Sequence, residues 1–198
     1  MEVSTILFNE FETLDVFGPI EILGRLKKHF KIRFYSLNGG IIYSSQSVPI
    51  LTNKIEKVLN KDYMLLIPGG FGTRNEIDNL DLINIIKEKG KKANYILSVC
   101  TGAALLAKTD LLNKKRATTN KRAFNWVKTL NNEVIWIKKA RWVVDGIIYT
   151  SSGVSAGIDM TFAFISDLLG EDVAKQQCQE IEYIWNKNPE NDPFADLY

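Results

Sequence analysis

Short, almost wholly apolar runs recur along this chain and alternate with longer stretches whose apolar positions return every three or four residues. The short runs predict strands at Val3–Phe8, Ile32–Leu37 and Tyr63–Ile67, and in the stretch that closes on Cys100. The longer ones predict helices from the first strand through about Lys28, over Leu80–Lys89, and from the Cys100 turn to about Lys108. Further helices are expected over Lys121–Leu130, Ala156–Leu169 and Asp172–Trp185. Gly90 and Gly170 punctuate helix ends, and Gly18-Pro19 marks an irregular or first-turn position. Gly39-Gly40 opens a hairpin over Ile41–Tyr43 and Val48–Leu51. Val134–Ile137 and Ala140–Val144 read as paired strands, and Asp145-Gly146 turns the chain into Ile147–Thr150. The tail, residues 188–193, is polar and expected to be loose. No internal repeat or interdomain linker is visible, so one domain over residues 1–198 is expected.

Strands that are apolar throughout and alternate with helices imply an α/β architecture, a mostly parallel sheet covered by helices on both faces. Ligands in such folds sit beyond the carboxyl ends of the strands. Four segments arrive at that edge: Glu12–Gly18, Pro68–Gly72, Cys100–Thr101 and Ser151–Gly153.

Composition narrows the partners. Of 198 residues, 45% are hydrophobic and 24% charged, an ordinary soluble balance. No run is long and uncharged enough to span a membrane. Met1-Glu2-Val3-Ser4 lacks the basic start of a secretory leader, and two cysteines form no disulfide framework, so a reducing cytoplasm is expected. The net charge of +2 is uneven: residues 171–198 carry seven acids against Lys175 and Lys187, net −5, leaving +7 elsewhere. The basic clusters fall where helices end, and no nucleic-acid motif accompanies them, so no nucleic-acid partner is expected.

The candidate chemistry centres on Cys100. A cysteine on a sharp strand-to-helix turn projects from the sheet edge and meets the free amides and positive end of the next helix. Both effects favour thiolate. Lowering a thiol from about 8.5 to about 5 takes roughly 5 kcal/mol, and a helix terminus supplies at most about 2 kcal/mol. Asp15 and backbone amides would have to supply the remainder. Asp15 reads either as the start of the first helix or as an acid beside the thiol. Gly69-Gly70-Phe71-Gly72 reads either as a tight turn or as an oxyanion site, where glycines let backbone N–H groups approach a ligand. A threonine hydroxyl is a poor base, but Thr101 can orient a water or donate to substrate. His29 is the sole histidine and sits at the end of the first helix, so neither a Cys–His pair nor a His-rich metal site is expected. Cys178 and the four tryptophans read as packing residues.

Leu14-Asp15-x-x-Gly18-Pro19-x-Glu21, Ile67-Pro68-Gly69-Gly70, Ser98-Val99-Cys100-Thr101-Gly102-Ala103 and Thr150-Ser151-Ser152-Gly153-x-x-Ala156-Gly157-Ile158-Asp159 together resemble the ThiJ/PfpI superfamily, which includes the Parkinson-disease protein. The resemblance covers nearly the whole chain and is strongest toward isonitrile hydratases. It implies a flavodoxin-like three-layer sandwich with its cysteine on a nucleophile elbow, no cofactor and no metal, a small-molecule substrate and a homodimer. It further implies attack by Cys100 on an isonitrile carbon, a thioimidate intermediate and hydration to an N-substituted formamide. Cys100, Asp15 and Thr101 take the catalytic positions, and Gly69, Gly70, Phe71, Ser152 and Gly153 the substrate- and oxyanion-binding ones. Protease and glyoxalase branches place histidine directly after the cysteine, where this chain has Thr101, which disfavours protease, amidase and deglycase chemistry. A non-enzymatic sensor that oxidises Cys100 or binds a metabolite through it is the remaining alternative.

Overall fold

The computed structural model describes residues 1–57 and 61–198. In chain order its elements are β1 (Glu2–Ile6), α1 (Thr13–Arg25), β2 (Lys31–Ser36), β3 (Gly40–Tyr43), β4 (Pro49–Lys54), β5 (Tyr63–Ile67), α2 (Thr73–Glu76), α3 (Leu80–Gly90) and β6 (Tyr95–Ser98). There follow α4 (Gly102–Lys108), β7 (Arg116–Ala117), α5 (Phe124–Thr129), β8 (Ile135–Trp136), β9 (Trp142–Asp145), β10 (Ile148–Ser151), α6 (Ala156–Leu169) and α7 (Glu171–Glu180). Eight strands form one sheet in the order β3-β4-β2-β1-β5-β6-β10-β9. Only its two outermost pairings, β3 with β4 and β9 with β10, are antiparallel.

The alternation within each inner strand fills two separate cores. Leu65 and Ile67 of β5 point to the face covered by α3 and α4, among Leu82, Ile86 and Leu105. Met64 and Leu66 point to the opposite face, among Ile22 and Leu23 of α1 and Phe162 and Ile165 of α6. The result is the flavodoxin-like three-layer arrangement. The strand order reverses at β1: the chain proceeds outward to β2, then returns to place β5 on the other side. This reversal opens a crevice at the carboxyl ends of β1 and β5.

Local departures from the sequence pattern have local causes. Pro19 lies inside α1 and does not begin it; Gly18 beside it lets α1 close on α6, since a Cβ there would stand 2.8 Å from Ile158 Cγ1. The two strands expected to pair over residues 134–144 do not. Instead β8 pairs in parallel with β7, while β9 folds back on β10 across Asp145-Gly146. Gly146 has φ +63°, the left-handed conformation such a turn favours. The last helix stops at Glu180, because the chain beyond it is held by Asp159. That carboxylate accepts from Tyr183 Oη and the Asn186 amide, both at 3.0 Å, and pairs with Arg141.

The tail is also fixed. Its Pro189 carbonyl accepts the Arg141 N–H, and buried Asp192 lies 3.3 Å from Lys121 Nζ. Lys121 is itself buried and donates to Thr118 Oγ1 and the Ala140 carbonyl, each at 2.7 Å. Lys121 thus straps the carboxyl-terminal segment to the body. Lys121→Met strands the Asp192 carboxylate and is expected to cost about 3–5 kcal/mol of stability in urea unfolding. Lys121→Met with Asp192→Leu should cost less than the single change. A single-variant cost under about 1 kcal/mol, the worth of an exposed pair, would contradict a buried strap.

Candidate active site

Cys100 lies between β6 and α4 with φ +56°, a left-handed conformation rare for a residue with a Cβ. Both of its backbone polar groups are tied. Its N–H donates to the Ser152 carbonyl at 3.1 Å, and its carbonyl accepts from Thr119 Oγ1 at 2.8 Å. Gly102, next but one, packs so closely on β5 that a Cβ would sit 2.3 Å from the Ile67 carbonyl. The elbow is therefore over-determined from three sides, which is how a strained residue persists.

Asp15 enters from the first turn of α1 and is 0% exposed. Its Oδ2 accepts the Gly69 N–H at 2.9 Å. Among the described residues its buried Oδ1 has no hydrogen-bond partner of regular geometry, while the carboxyl interacts with the Cys100 thiol. Burial pushes the Asp15 carboxyl up to about 8, against the Gly69 hydrogen bond, with a smaller push from Glu12. Gly69 cannot be larger here: a Cβ would stand 2.5 Å from the Thr101 nitrogen and 2.9 Å from Asp15 Oδ2.

Cys100 is 6% exposed, and its thiol is pushed up, first by burial and then by the negative charge of Asp15. The amides of Thr101 and Val154 and the Thr101 hydroxyl pull the other way. The expectation of a resting thiolate is thus reversed. Desolvation outweighs a helix of only seven residues. When Asp15 is protonated the opposing charge disappears, and the same amides are left to receive a thiolate. Near neutral pH both groups are therefore held toward their protonated forms, and the sulfur must give up its proton as it attacks.

The threonine hydroxyls share a small network. Thr73 Oγ1 lies 2.8 Å from the Gly70 carbonyl, closer than Thr101 Oγ1 at 3.2 Å. With Thr73 donating to that carbonyl, the Thr101 proton is left for the sulfur. The Gly70 N–H meanwhile donates to Thr101 Oγ1 at 3.1 Å, so the Gly69 and Gly70 amides are both occupied inside the protein. The amides facing the sulfur are those of Thr101 and Val154.

Above the sulfur opens a cavity of about 390 Å³. Cys100, Thr101, Gly70, Phe71 and Val154 line it, with Asn120 and Arg122 across from them. Ser152 and Gly153, placed at the rim by the sequence pattern, line an adjoining cleft that shares Asn120, Arg122 and Val154 with this cavity. Ser152 reaches the cysteine only through its carbonyl. Thr73, Val154 and Asn120 are the residues that the sequence pattern does not single out. The glycine run points toward Thr73; nothing in the sequence marks Val154, whose φ of +29° is itself an outlier for a β-branched residue.

The DJ-1/PfpI family model matches residues 1–167. An isonitrile hydratase from Pseudomonas putida is 28% identical over 188 residues, covering 92% of this chain and 78% of that protein. Among solved structures, a ThiJ/PfpI family protein from Pseudomonas syringae superposes with a TM-score of 0.82 at 24% identity, covering 92% of this chain and 74% of the other. Drosophila melanogaster DJ-1beta gives 0.77 at 20% identity, covering 93% and 98%.

The Asp15 titration makes a stability prediction. An unfolded aspartate titrates near about 3.9, the buried one near about 8. Between these values the folded protein binds a proton that the unfolded chain has lost. Stability from this group is complete below about pH 4 and is lost as pH rises through about 8. Urea midpoints should fall across that window in the native protein, and the slope should flatten in Asp15→Asn. Equal slopes would place the buried proton elsewhere.

Proposed function

The chain belongs to the DJ-1/PfpI family, and from that membership and this site we propose that it is a cysteine-dependent hydratase converting isonitriles to N-substituted formamides. The observation that carries the reading is a fully buried carboxyl beside a buried cysteine that lines the cavity. An isonitrile carbon takes up a nucleophile and a proton at the same atom, and this pair supplies both. The 28% identity to an isonitrile hydratase supports the choice of substrate class.

Cys100 sulfur adds to the terminal carbon while protonated Asp15 gives that carbon its proton and takes the thiol proton in exchange, leaving a thioimidate, S–CH=N–R, and a neutral Asp15. The exchange moves with the attack, so no net charge is created in the dry pocket. Water then adds to the thioimidate carbon as Asp15 gives its proton to the nitrogen and accepts one from the water. Collapse breaks the C–S bond and forms the formyl group as the hydroxyl proton passes to sulfur. The sum is R–NC plus water giving R–NH–CHO. The Thr101 and Val154 amides hold charge on the sulfur through both steps. Asp15 gives and accepts a proton in each step, an acid–base role worth about 10²- to 10⁴-fold.

In this reading the chain is one domain acting on a small molecule, as a homodimer, and the chemistry asks for no cofactor. Protease, amidase and glyoxalase readings fit less well, since His29 lies exposed in the loop after α1, away from the cavity residues. An oxidation sensor calls for an accessible thiolate, whereas Cys100 is 6% exposed and pushed toward thiol.

Incubation with an alkyl isonitrile should yield the formamide, followed by proton NMR. Cys100→Ser should abolish turnover, and Asp15→Asn should lower kcat by about 10²-fold or more while the fold persists. No formamide from reduced, folded protein would reject this substrate class.

A further inference from the structure

Two arginines sit at the cavity that the proposed reaction does not use. Arg74 comes from α2 and Arg122 from the turn before α5, and both are exposed lining residues. Arg74 is held in place: its guanidinium lies 4.9 Å from the Phe71 ring centroid and 4.8 Å from that of Trp126. Two aromatic faces restrict a side chain that otherwise has many rotamers, so binding a ligand costs it less freedom. Among the described residues neither arginine has a carboxylate within ion-pair distance. Arg25 and Arg141, by contrast, are satisfied by Glu21, Glu180 and Asp159. The single acid on the cavity lining is Glu12, which belongs to the Asp15 side and pairs with neither arginine. The cavity is therefore polarised. Its Glu12 carboxylate disfavours an anion nearby, and the unpaired guanidinium groups of Arg74 and Arg122 attract one.

Building on the hydratase reading, we propose that the substrate carries a carboxylate, held by Arg74 and Arg122 at the mouth, with its neutral reactive carbon directed to Cys100. A planar guanidinium matches a carboxylate through paired N–H donors. The Phe71 ring, 63% exposed, then covers the apolar stem between the two ends. The same charges disfavour the reversed orientation, which would take the carboxylate away from both arginines and toward Glu12.

The test compares short ω-isocyanoalkanoates with their methyl esters on the full chain, in the native protein and in Arg74→Gln and Arg122→Gln. The native protein should prefer the carboxylates in kcat/KM by about tenfold or more, the factor one good charge-assisted pair supplies. That ratio should collapse toward one in each variant and shrink with added salt. Turnover of both series with no preference, or with a ratio that survives both substitutions, overturns the proposal and leaves the hydratase reading intact. Should no isonitrile react, the hydratase reading fails by itself. Calorimetry with the matching N-formylamino acids and their esters then decides the anion site: arginine-dependent binding of the acid alone supports it, and binding of neither overturns it.

Discussion

A carboxyl and a thiol packed together out of water, each held toward its protonated form, is the constraint from which the rest of this molecule follows. Each group alone would be a liability, since burial penalises its charged form. Together they are workable, because ionising the sulfur requires the carboxyl to be neutral, and burial has already made it so. The amides of Thr101 and Val154 and the Thr101 hydroxyl then complete a site prepared for negative charge that is present only during reaction.

The fold exists, in this sense, to hold that pair. Asp15 is brought by α1 from one side of the strand-order reversal, and Cys100 by the end of β6 from the other. The Pro68–Gly72 loop seals the gap, and its glycines are dictated by contact: a side chain at Gly69 would occupy the space of Thr101 and Asp15. The strain at Cys100 is fixed by hydrogen bonds to Ser152 and Thr119, two residues from unrelated parts of the chain. Precision at the sulfur is thus secured by backbone contacts spread across the sheet edge.

Much of this is legible in the order of residues. Apolar runs marked the inner strands, and the abrupt change to small residues after Cys100 marked the elbow, because both are local patterns. The protonation state was not legible: a helix start argues for thiolate, and only the three-dimensional packing reveals that desolvation outweighs it. Ser152 and Gly153 line the cleft adjoining the cavity over Cys100, a placement that depends on how the loop turns and that a motif does not state. The tail read as loose because its polar composition hides one aspartate that finds a buried lysine. Arg74 and Arg122 gave no signal at all, as exposed arginines are common, and their meaning comes from the cavity they share.

The most direct measurement is an infrared titration of the protonated carboxyl band, assigned to Asp15 by its loss in Asp15→Asn. The account predicts a band present at neutral pH that disappears with a midpoint near about 8. A carboxyl that titrates near about 4, as an ordinary aspartate does, would contradict the protonated carboxyl and the acid–base role built on it.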